Sequence, residues 1–117
     1  MSDPVTDLIV RLRDFAAERD WDQFHTPKNL VMSLAVEVSE LMEPFQWLTA
    51  DESAQLSPAK LALVKDEVGD VFYYLLRICD KLGIDPVQAA HDKLAKSAAK
   101  YPAERVRGKA LKYDEYK

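Results

Sequence analysis

Asp3-Pro4, Thr26-Pro27, Ser57-Pro58 and Asp85-Pro86 punctuate this chain at four places. In each dipeptide a short oxygen-bearing side chain precedes a proline. The oxygen can accept from the free N–H groups of a new helix, and the proline's φ is already set for the first helical position. Apolar residues at helical spacing follow each one. No stretch shows convincing strand alternation over more than a few residues. The chain is therefore expected to be all-α, a four-helix bundle.

The first helix is expected from about Pro4 to Asp20, with Val5, Leu8, Ile9, Leu12, Phe15 and Ala16 as its apolar stripe. WDQFHTPKN then reads as a loop carrying Trp21, Phe24 and His25, either a binding surface or a cap on the core. The second helix starts at Pro27, with Leu30, Leu34, Val38 and Leu41 inward, and Pro44 should kink or end it. Trp47 follows, and residues 49–57 read as a polar loop. A third helix runs from Pro58 to about Leu82, closed by Gly83, with Leu61, Val64, Val68, Val71, Leu75 and Ile78 as its stripe. Leu63, Tyr73, Tyr74 and Leu76 lie off that stripe, which hints at more than one packing partner. The fourth helix begins at Pro86 and carries Val87, Ala90, Leu94 and Ala98 inward, with Lys93 and Ser97 one turn apart beside them. Residues 102–117 lack periodicity and are expected to be mobile or to wrap another subunit. The whole of 1–117 is expected to be one domain.

Two acidic pairs carry the chemistry. Glu37 and Glu40 are three apart on the second helix, and Glu67 and Asp70 are three apart on the third. That spacing puts each pair on one face. Antiparallel packing of the two helices would gather all of them. A single acidic pair is usually solvated surface, but Glu37 and Glu67 border the apolar stripes, where a carboxylate without a partner is costly. Lys65 and Arg77 are the only nearby cations. Clustered oxygen ligands call for a hard cation, magnesium or manganese.

Composition narrows the function classes. With 48% apolar and 31% charged residues the chain reads as a globular protein, and no run approaches the length of a membrane span. MSDPVTDL does not resemble a secretion signal, and a lone Cys79 suits a reducing cytoplasm. A net charge of −4 argues against nucleic-acid polymers as partners. Three glycines leave no room for a phosphate-cradling loop. An acidic protein that handles phosphate must recruit it through metal ions.

The stretches ERDWDQFHTPKNL, EVSELMEPFQW, DEVGDVFYYL and AKYPAERVRGKALKY resemble the MazG-like all-α nucleoside triphosphate pyrophosphohydrolases, and within them the short dCTP pyrophosphatase group. The resemblance runs from Phe15 to about Tyr113. It implies hydrolysis of a (deoxy)nucleoside triphosphate to monophosphate and pyrophosphate. It implies Mg2+ on Glu37, Glu40, Glu67 and Asp70, which are also the catalytic set. It further implies a base pocket of Trp21, His25 and Trp47, with Tyr74 near the metal and Lys93 on the phosphates. Dimers or tetramers with active sites at subunit contacts are implied too. Val36, Pro44 and Ser97 depart from the pattern of many relatives; the Ser97 hydroxyl can still reach a phosphate or the base. The competing reading is a non-catalytic helical-bundle interaction protein. A di-iron bundle would need Glu-x-x-His motifs, which neither His25 nor His91 completes.

Overall fold

The computed structural model describes residues 3–115. Positions 1, 2, 116 and 117 of the expected domain and tail lie outside the described residues. The chain forms two compact units, one through Gly83 and one from Ile84. Among the described residues there is no strand. The first unit contains helices α1 (Pro4–Glu18), α2 (Pro27–Met42), α3 (Ala50–Ser53) and α4 (Pro58–Leu82). The second contains α5 (Pro86–Lys100) and α6 (Ala103–Val106).

All four N-cap side chains do what their spacing predicts. Asp3 accepts from Val5 N at 3.3 Å, Thr26 from Asn29 N at 3.2 Å, Ser57 from Lys60 N at 3.2 Å, and Asp85 from Val87 N at 3.0 Å. Each such cap stabilises its helix by about 1 kcal/mol. α1 stops two residues short of the expected Asp20, because Asp20 takes a left-handed φ of 54°. Gln23 holds it there by donating to its carbonyl and carboxylate. At the end of α4, Gly83 adopts φ 66°, where any side chain would be strained. Pro44 ends α2 as expected, and a 3-10 turn over Glu43–Phe45 follows.

Residues 49–57 are not wholly loop. Thr49 and Glu52 form a reciprocal capping box, and one turn of helix, α3, forms behind it. The T-x-x-E signal was legible, but no apolar stripe follows it to mark a helix.

α4 packs most extensively on α2 and less on α1. Ser33 meets Tyr74, Glu37 meets Asp70, and Pro44 O accepts from Lys60 at 3.4 Å. Numbers rise along α2 as they fall along α4, so the two helices run antiparallel. Ala16, Leu30, Leu76, Ile78 and Cys79 form the core. Burying Leu30 and Leu76 stabilises the unit by about 1.5–3 kcal/mol each. The expected α4 stripe is only partly inward: Leu61, Val68 and Leu75 are exposed, as are Val36, Val38 and Met42 on α2. The apolar surface of these helices exceeds what the neighbours within one unit can cover, so periodicity overstates burial.

In the second unit, α5 exposes Val87 and Leu94 from its expected stripe. Part of the tail is ordered as α6, and Lys100 Nζ lies 3.9 Å from the centre of the Tyr113 ring.

Candidate active site

The antiparallel seam brings three of the predicted acids together. Glu37, Glu67 and Asp70 each offer a carboxylate oxygen within 4.8 Å of the others. Glu40 lies outside that trio but interacts with both Glu37 and Glu67. Burial first, then Glu40, Asp70 and Glu67, pushes the Glu37 carboxyl up to about 7. Burial and the Glu40 and Asp70 charges likewise raise Glu67. Among the described residues no lysine or arginine pairs with these acids. Oε2 of Glu37 and Oε2 of Glu67 are buried without a hydrogen-bond partner. Orphaned buried oxygens on adjacent, mutually repelling carboxylates fit a divalent cation that satisfies both at once.

Beside the acids lies an aromatic cavity of about 440 Å3, lined by Trp21, Phe24, His25, Asn29, Leu30, Ser33 and Tyr74. A smaller pocket of about 250 Å3 is lined by Phe15, Trp21, Glu37, Asp70, Tyr73 and Tyr74. Trp21 and Tyr74 belong to both, so the cavity and the acid pocket adjoin along a shared aromatic wall. Edge contacts brace that wall: Phe15–Trp21 at 5.7 Å and Tyr73–Tyr74 at 4.9 Å between ring centres. Burial, then the charges of Glu37 and Asp70, raises the Tyr74 phenol, which keeps its proton and can donate.

The loop after α1 is held by Arg77, the only charged side chain buried among the described residues, at 1% exposure. Its guanidinium donates to Asp22 at 3.0 Å, to Asp80 at 2.9 Å and to Nδ1 of His25 at 3.4 Å. Arg77 therefore faces the loop and leaves the acid cluster uncompensated.

Of the expected site residues, Glu37, Glu67, Asp70, Trp21, His25 and Tyr74 gather here, with Glu40 at the edge. Trp47 stands apart, 86% exposed and lining neither pocket. Lys93 and Ser97 lie one turn apart on α5, in the second unit. Sequence reasoning missed Ser33 and Asn29. Ser33 could have been found, since it sits one turn before Glu37 on the same face; Asn29 carries no such signal.

The seam thus sets an aromatic face able to take a flat ring beside clustered carboxylates able to take a divalent cation. The chain belongs to the MazG-like family, which matches it over residues 32–115. The bovine and human proteins called dCTP pyrophosphatase 1 (Bos taurus, Homo sapiens) are each 40% identical to it, over 96% and 97% of this chain and 68% of the relative. A solved pyrophosphatase structure from Archaeoglobus fulgidus DSM 4304 matches with a TM-score of 0.82 at 39% identity, covering 87% of this chain and 95% of that one.

Proposed function

We propose that this MazG-like protein is a nucleoside triphosphate pyrophosphohydrolase that cleaves a dCTP-like substrate to the monophosphate and pyrophosphate. Kinship along nearly the whole chain with proteins named for that reaction supports the class. One observation carries the assignment to this site: Trp21 and Tyr74 wall both the ring-sized cavity and the acid pocket. A base and its triphosphate would span that wall.

In this reading Glu37, Glu40, Glu67 and Asp70 hold Mg2+, with Mn2+ as a substitute. Bound divalent ions would neutralise the triphosphate and make an attacking water more acidic. The chain's own groups do the rest. Trp21 stacks on the base, worth roughly 1–3 kcal/mol by analogy with aromatic stacking at nucleic-acid sites. Tyr74, protonated, donates toward the sugar or phosphates. One carboxylate of the cluster accepts the proton of the attacking water. The family resemblance alone assigns Lys93 to the phosphates and Ser97 to a phosphate or the base. Trp47, exposed and outside the cavity, completes a base pocket across a subunit contact. The exposed apolar residues of α2 and α4 support assembly as a homodimer or homotetramer. No helix among the described residues is long and apolar enough to cross a membrane, which is compatible with a cytoplasmic enzyme.

A panel of ribo- and deoxynucleoside triphosphates assayed for pyrophosphate, with and without Mg2+, tests this. Magnesium-dependent release, fastest with dCTP or a ring-modified relative, is expected. No turnover of any nucleotide would leave the interaction-protein reading in its place.

A further inference from the structure

We propose that Arg77 is a positioning residue that fixes the hydrogen-bonding polarity of His25, so that the aromatic cavity offers an N–H donor and selects a ring presenting an acceptor to it. The inference rests on reading that cavity as the base site. A guanidinium has donors and no acceptor. Where Arg77 Nε–H meets His25 Nδ1 at 3.4 Å, that nitrogen must carry a lone pair. A neutral imidazole has one N–H, which then sits on Nε2, on the other edge of a ring that lines the cavity.

Two further observations support this. The guanidinium cannot swing away, because its two other nitrogens are tied to Asp22 and Asp80 and the side chain is 1% exposed. The imidazole is also held neutral. Burial first, then the charges of Arg77 and Lys81, favours the uncharged ring, and Asp22 alone opposes them. The ring is fixed edgewise against Tyr73, 6.4 Å between centres. Sequence position gives no warning of this, since Arg77 and His25 are 52 residues apart.

The ligand consequence is a matter of polarity. A base edge with a carbonyl oxygen or unprotonated ring nitrogen pairs with Nε2–H. An edge presenting an amino or ring N–H group sets donor against donor, leaving both desolvated and unpaired. The histidine thus discriminates by edge chemistry, and Trp21 by ring shape.

The test begins with the ligand-free full chain. Long-range 1H–15N correlation spectra near neutral pH report each ring nitrogen directly, and the chain has only two histidines. For His25 we expect a bare Nδ1 and a protonated Nε2, relaxing toward a tautomer mixture in Arg77→Met. A protonated Nδ1 in the parent overturns the proposal, and so does an unchanged tautomer in a folded Arg77→Met. If that variant does not fold, the parent spectrum decides. Kinetics then tests the donor. His25→Leu should raise KM for dCTP about tenfold, the loss of one hydrogen bond, with kcat changed less. His25→Gln, which keeps an N–H at that end of the side chain, should recover most of the loss. Equal KM in the Leu and Gln variants sinks the donor role. Failure of the parent to hydrolyse any nucleotide would instead strike the proposed function and leave the tautomer result standing.

Discussion

α4 takes part in two clusters of acids, one near its middle and one at its C-terminal end, where its Asp80 and Asp22 of the loop after α1 share Arg77, and the two are treated in opposite ways. Toward the C-terminus, Asp80 is clasped by Arg13 at 2.6 Å and Arg77 at 2.9 Å, and Asp22 by Arg77 and Lys81. Hydrogen bonds from Arg13 and from Lys81 lead the causes that hold Asp80 and Asp22 below the usual carboxylate range. Earlier on the same helix, Glu67 and Asp70 face Glu37 with no lysine or arginine paired to them among the described residues, and burial leads the causes that push Glu37 and Glu67 up. The first cluster is neutralised from within the chain and contributes to the fold. The second keeps its repulsion unless a proton or an external cation joins it, as the proposed metal site requires. Acid content does not separate the two clusters; the placement of arginine and lysine does.

The largest expected effect divides them by function. Glu67→Gln should lower Mg2+-dependent pyrophosphate release on the order of a thousandfold, several kcal/mol of transition-state stabilisation. In the absence of metal its thermal midpoint should match or exceed the parent's, because one repelling charge is gone. Single-turnover pyrophosphate assays and calorimetry check the two halves. Undiminished release would remove Glu67 from the mechanism, and a large loss of metal-free stability would make it structural like Asp80.

Asp80→Asn should do the reverse. It strips a buried guanidinium of its more buried partner, and breaking such a pair costs roughly 3 kcal/mol. Urea denaturation measures this, with kcat expected to stay within a few fold of the parent. If the substitution is tolerated without loss, Arg77 is solvated well enough to need no partner and the contrast fails.

pH sharpens the same contrast, with opposite signs. The folded chain holds the Glu37 proton more tightly than the unfolded chain, its carboxyl moving from 4.5 to about 7. For that group, metal-free stability is greatest below 4.5, falls as pH rises toward about 7, and levels off above. Glu67 acts in the same direction. Asp22 and Asp80, lowered from 3.8, contribute stability at neutral pH that disappears as pH falls through their folded values. The metal-free melting temperature should therefore decline on both sides of a mildly acidic maximum. Saturating Mg2+ should abolish only the neutral-side decline, since it binds the ionised acids of the folded state. A profile on which Mg2+ acts equally at every pH would dissociate the cation from Glu37.

Much of this was legible in the residues. The N-cap–proline dipeptides place four helices, because capping is local and its partners are two or three residues away. Three of the four acids, Glu37, Glu67 and Asp70, are legible because i,i+3 spacing fixes their face and antiparallel neighbours bring the faces together; Glu40, further round its helix, stays at the edge. What was not legible is long-range. Arg77 reads as a local cation for the acid cluster, and only folding shows it turned to Asp22, 55 residues away. Trp47 carries an aromatic signal at the right place in the chain, yet one unit alone gives it nothing to pack on. Leu61, Val68 and Leu75 follow the helical period and stay exposed, because periodicity shows which face is apolar and says nothing about what covers it.

The smallest effect tests how far compensation extends within the neutralised cluster. Lys81 reaches Asp22 at 2.6 Å, a shorter contact than the one Arg77 makes to the same oxygen at 3.0 Å. Distance alone would rank Lys81 as the stronger partner. Burial ranks them the other way, since Lys81 is 26% exposed and Asp22 55%, while Arg77 is 1% exposed. An exposed pair is screened by water and must order two side chains, so Lys81→Ala should cost only about 0.2–1 kcal/mol. Asp22 keeps Arg77 in that variant, and no buried charge is left alone. Urea midpoints of Lys81→Ala and Asp80→Asn, compared with the parent, decide the ranking. Equal losses would mean that the network acts as one cooperative unit, in which a rim lysine matters as much as the buried guanidinium's closest acid.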